Sequence, residues 1–97
     1  MSRSLVERRL TEVHERVRTL REELSVADEQ LAALVEAADD ARLRALVSET
    51  PLAEREHEEA QRHADAMARH RAVVVAELAD LERTEDQLLD RLVAESR

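Results

Sequence analysis

Glycine, asparagine, isoleucine, lysine, phenylalanine, tyrosine, tryptophan and cysteine are all missing from this chain of 97 residues, and proline occurs once, at Pro51. Each absence removes a class of function. Without cysteine there is no disulfide, no thiolate nucleophile and no Cys-based zinc site. Without aromatic rings there is no stacking platform for bases or sugars, and without glycine there is no glycine-rich loop to cradle a phosphate. No apolar leader follows Met1, and no apolar run approaches the ~20 residues that span a bilayer. A formal net charge of −8 opposes binding to nucleic acid and to anionic membrane. A soluble, cytoplasmic protein is expected, with neither nucleic acid nor membrane among its partners.

What remains is dominated by Ala, Leu, Val, Arg and Glu, with 39% of residues charged. That is the composition of long amphipathic helices and coiled coils. Every permanently cationic side chain is arginine; together with the missing Lys, Asn, Ile, Phe and Tyr, this points to a GC-rich genome such as an actinobacterium's. A chain of this length admits one domain with a small core.

Ser4 and Glu7 have the spacing of a capping box, which predicts a helix from about residue 5. From there, alternating steps of four and three pass through Val6, Leu10, Val13, Val17, Leu20, Leu24, Ala27, Leu31, Leu34, Ala38, Ala41 and Ala45, all apolar. This is a heptad seam. Glu15, Glu22, Glu29 and Glu36 repeat on the opposite, solvated side. Thr50-Pro51 then breaks the chain, because a residue before proline avoids the α region while proline itself suits the first helical turn. Beyond it the same steps give Ala53, His57, Ala60, Ala64, Met67, Arg71, Val74, Leu78, Leu81, Glu85, Leu88 and Leu92.

The fold class expected is all-α: a long antiparallel two-helix coiled-coil hairpin over residues 1–97, with helices over about 5–47 and 51–95 and a turn over about 48–50. A register in which facing residue numbers add to 98 sets Leu10 against Leu88, Val17 against Leu81 and Leu31 against Met67, and it centres the turn on Glu49. Charge favours the same orientation: residues 1–21 hold six arginines against three acids, and residues 77–97 hold seven acids against three arginines. Exposed pairs are worth only ~0.5 kcal/mol each, so they orient the helices more than they stabilise them. Past Asp39-Asp40 the apolar residues Leu43, Leu46 and Val47 leave the seam. Either the first helix continues, or one of these aspartates caps a short third helix near 41–48.

The stretch EREHEEAQRHADAMARHR, residues 54–71, concentrates three histidines with four glutamates and Met67. Glu54 to His57 has the E-x-x-H spacing that places a carboxylate and an imidazole on one helix face, and over these four residues it resembles the half-ferritins that pair helical hairpins into an iron site. The resemblance implies a metal-binding helical dimer. The register, however, sets Ala41, with Arg42 and Arg44 beside it, opposite His57, where arginines repel a cation. Metal ligands are therefore not assigned, no cofactor is expected, and His63 and His70 are read as solvated.

His57, Arg71 and Glu85 recur every fourteen residues in one row of the second seam, facing Ala41, Ala27 and Val13. Arg71 has Asp28 within reach, and Glu85 has His14. Polar seam residues reject wrong registers and oligomers at some cost in stability; alternatively Arg71 receives an anionic ligand or a partner's carboxylate. The seam is Leu- and Val-rich away from the turn and alanine-rich towards it. Leu43, Leu46, Val47 and Leu52 form a second apolar group around the tip, joined along the second helix by Ala68 and Val75. Such a surface marks self-association or docking, and pairing of hairpins into a homodimer, a four-helix bundle, is expected.

Ser48 and Thr50 stand in a turn away from any base and orienting acid, so no enzyme is expected. The leading expectation is a small adaptor or regulator that binds another protein through a helical face or the hairpin tip. A second is a ligand-sensing regulator similar in shape to the small helical anti-sigma factors of actinobacteria that bind a cyclic dinucleotide, of whose motif only fragments such as Arg83 with Gln87 are present.

Overall fold

A computed structural model describes residues 2–96, and they form two helices: α1, Arg3–Ser48, of 46 residues, and α2, Pro51–Glu95, of 45 residues. They make an all-α helical hairpin. The seam read from the periodicity is the buried face of both helices. All twelve seam residues of α1 and all twelve of α2 are buried or half-buried, whereas nearly every residue between them is exposed.

One detail differs from the sequence reading, and one alternative left open there is decided. The helix starts at Arg3, two residues earlier than expected, and its cap is Ser2, whose hydroxyl accepts from the Leu5 amide at 3.3 Å. The earlier start completes the turn that carries Val6, which is fully buried. Glu7, freed from a capping role, accepts instead from Arg3 at 3.0 Å. Nor does α1 break at Asp39-Asp40: one continuous helix runs to Ser48, and no separate helix forms over 41–48. Residues 37–47 are mostly Ala, Leu and Arg, strong helix formers without glycine or proline. Ala38, Ala41 and Ala45 stay buried in step, so breaking the helix would forfeit both backbone hydrogen bonds and seam.

Tertiary packing divides the chain into two units. In the first, α1 up to Leu24 packs with α2 from Val74 onward. Its core is Val6, Val13, Val17, Leu20, Val74, Leu78 and Leu88, with Leu10, Leu24, Leu81 and Leu92 against it. Cross-helix pairs border this core: Arg16 donates to Glu77 at 3.0 Å, and Arg21 stands 3.8 Å from Glu82. The opposed charge blocks thus meet as their signs require.

The second unit, residues 25–73, contains the turn. Its buried hydrophobic residues are alanines only, at positions 27, 38, 41, 45, 53 and 64, with Leu31, Leu34, Ala60 and Met67 half-buried. Apolar burial is worth about 25 cal/mol per Å2, and alanine offers little area. Energetically, the turn-bearing unit has the thinner seam.

Candidate interaction surface

The connection between the helices is two residues long, and each has a defined task. Glu49 takes a left-handed backbone, φ 52°, and its amide donates to the Ala45 carbonyl at 3.0 Å. That closes α1 with a left-handed cap, the position glycine usually fills and which this glycine-free chain gives to glutamate. Thr50 caps α2: its hydroxyl accepts from the Ala53 amide at 3.2 Å and its carbonyl from the Glu54 amide at 3.1 Å. Pro51 supplies the first helical position, where its missing N–H costs nothing.

This short connection leaves the last two turns of α1 uncovered on their outer side. Leu43, Leu46 and Val47 are 61, 64 and 85% exposed, and Leu52 in the first turn of α2 is 60% exposed. Spacings of three and four place the first three on one face of α1. A shallow groove of about 410 Å3 runs along Asp39, Arg42, Leu43 and Leu46. All four residues named for partner binding are therefore solvent-facing at the tip. Ala68 and Val75 are exposed as well, Val75 less so at 38%.

The polar seam residues fall into two pairs and a single. Arg71 donates through Nε to Asp28, and both remain about half exposed. His14 Nδ1 lies 3.1 Å from Glu85 Oε2, with the glutamate side chain 21% and the histidine 67% exposed. Both pairs lie within one residue of the register inferred from the sequence. His57 is half-buried in the seam and borders a groove with Glu58, Gln61, Arg62 and Asp65. Long polar side chains thus leave the seam at its edge and meet a charge there, which spares the core an unpaired group.

The other two histidines of the stretch 54–71 face outward. His63 and Glu59 approach to 4.0 Å on an open face, and His70 is exposed. Among the described residues, no three of His, Asp and Glu converge as metal ligands would, no charged or polar residue is buried, and no helix is long and apolar enough to cross a membrane. The surface can bind by shape, apolar contact and solvated charge.

One cleft was not anticipated from the sequence. Leu10, Thr11, His14, Glu15, Arg18, Glu85 and Leu89 line about 510 Å3 beside the first unit's core. Leu89, off the seam and 44% exposed, was the available signal, since a second leucine directly after the seam residue Leu88 must point elsewhere.

Neither a family model, nor a curated protein, nor a solved structure matches this chain.

Proposed function

We propose that this chain is a small, non-catalytic coiled-coil adaptor or regulatory protein of the cytoplasm that binds another protein chain through the outer face of the hairpin tip. One observation carries the reading: the seam is fully used within the hairpin, yet three large apolar side chains of α1 and one of α2 stand more than half exposed beside the turn. Single exposed apolar residues are ordinary, whereas a clustered group is characteristic of a contact surface. Helix-to-helix docking needs only such a face, read at intervals of three and four. Arg71 is engaged by Asp28, which favours a structural use for it over ligand capture.

The test is affinity capture from the source cell with the tagged full chain and its Leu46→Glu variant. Loss of specific partners in the variant, with helicity and melting temperature unchanged, supports the reading. Recovery of the same partners by both would remove the tip as the docking surface.

A further inference from the structure

We infer that the chain docked on the tip is a second copy of this one, with the last two turns of α1 packed antiparallel across a twofold axis near Leu46. This rests on the reading of the tip as a contact surface and specifies its occupant.

The charges along this segment are self-complementary. Arg42 precedes the apolar group Leu43, Leu46 and Val47, Arg44 stands within it, and Glu49 follows it; all except the seam residue Ala45 are exposed. A twofold axis perpendicular to the helix reverses chain direction, so an axis at Leu46 brings Arg42 of each copy, one turn before Leu46 on the same side, towards Glu49 of the other while Leu43 approaches the partner's Val47. Contacts across such an axis occur twice. A protein of unrelated charge pattern would satisfy at most one end of the segment.

Overlap limited to these two turns also avoids repulsion. Asp39 and Asp40 lie just beyond the overlap, where the partner chain has already turned back at Glu49 and Thr50. A longer parallel overlap would align Asp39-Asp40 with the same acids of the second copy. The contact is small, resting on Leu43, Leu46 and Val47 of each copy, which places it at the weak, transient end of specific interfaces. Association in the micromolar range is expected rather than a permanent dimer.

Because the chain contains no cysteine, single-cysteine variants report the contact without background. Under mild oxidation, full-length Leu46→Cys is expected to form a disulfide-linked dimer readily, since residues at a twofold axis bring their Cα atoms within the ~7 Å that a disulfide requires. Thr19→Cys, also exposed but remote from the tip, is expected to cross-link at least tenfold more slowly. Sedimentation of the cysteine-free protein over 1–200 μM should show a monomer–dimer equilibrium. Arg42→Glu should weaken it several-fold, and adding Glu49→Arg should restore it, with circular dichroism unchanged throughout. A chain monomeric at every concentration overturns the second copy as occupant, whereas the capture experiment with Leu46→Glu separately judges the tip as a docking surface. A dimer indifferent to the charge reversals and to Leu46→Glu overturns the proposed interface.

Discussion

Replacing Glu85 by leucine is expected to stabilise the hairpin while loosening its choice of partner. Glu85 occupies a seam position between Leu78 and Leu92, opposite Val13 in the register inferred from the sequence, and Val13 is 3% exposed; the glutamate's own side chain is 21% exposed. A carboxylate at the seam's edge keeps most of its hydration but gives up apolar contact in the seam. The return is a 3.1 Å contact to His14, an imidazole two-thirds exposed, and such pairs yield ~1 kcal/mol or less. A leucine buried to a similar degree gains about 1.5–2 kcal/mol and has much the same helix propensity as glutamate. The balance, a gain of about 1.5–2 kcal/mol less at most ~1 kcal/mol for the lost pair, favours Glu85→Leu by about 0.5–2 kcal/mol.

Urea denaturation followed by circular dichroism at one fixed protein concentration reads this as a higher midpoint at unchanged slope, and a thermal melt as a rise of about 4–8 °C per kcal/mol. Glu85→Ala, which loses the pair without gaining packing, should stay within about 1 kcal/mol of the parent. Sedimentation of Glu85→Leu should reveal additional oligomers, because a leucine row no longer discriminates between registers. A destabilised Glu85→Leu, or a His14/Glu85 double-mutant coupling above about 1.5 kcal/mol, would refute the reasoning and make the pair a true anchor of the fold.

Glu49→Gly should stabilise the turn by ~1 kcal/mol by relieving the left-handed backbone, and Glu49→Ala should not; equal melting temperatures for the two would show that the backbone conformation carries no cost. Thr50→Ala should cost about 1 kcal/mol through loss of the α2 cap, measured by urea midpoint, and no change would mean that Pro51 alone starts the helix. Truncating Leu20, 1% exposed, to alanine should cost about 2.5–4 kcal/mol. Leu34→Ala, in the alanine-lined unit and half-exposed already, should cost less than half of that, and parity between them would contradict the uneven seam.

The seam was legible in the sequence because each of its residues answers to a partner in the same chain. Leu20 or Val74 must be apolar at its place in the heptad, and no alternative step keeps all twelve residues of α1 inward. The turn was legible for a related reason, since Thr50-Pro51 restricts the backbone whatever surrounds it. Ser2 and Ser4 were harder to separate because both are chemically competent caps, and the choice falls to the packing of Val6 one turn later. Asp39-Asp40 resembles a cap by residue type, but a cap needs a break, and the buried alanines on either side hold the helix together. Glu49 gave no sign of its left-handed backbone, because the usual signal is a glycine and this chain has none. Least legible is the outer tip face: Leu46 and Val47 stand 64 and 85% exposed, so intrachain periodicity carries little information about what covers them.

The distribution of leucine and alanine along the hairpin bears on how it forms. Pairing that starts at Glu49 and zips outward costs the least loop closure, yet its first contacts are between small side chains such as Ala45 and Ala53 that return little free energy. The rewarding contacts, among Val6, Leu10, Leu88 and Leu92, join residues about eighty positions apart and come last on that route. A hairpin built of local turns thus acquires the contact order of a more complex topology, and its folding should be slower than that of helical hairpins with leucine near the turn. In native-state hydrogen exchange the same asymmetry inverts the usual profile: amides flanking the short connection should open more readily than those around Val17 and Leu78, nearer the chain ends.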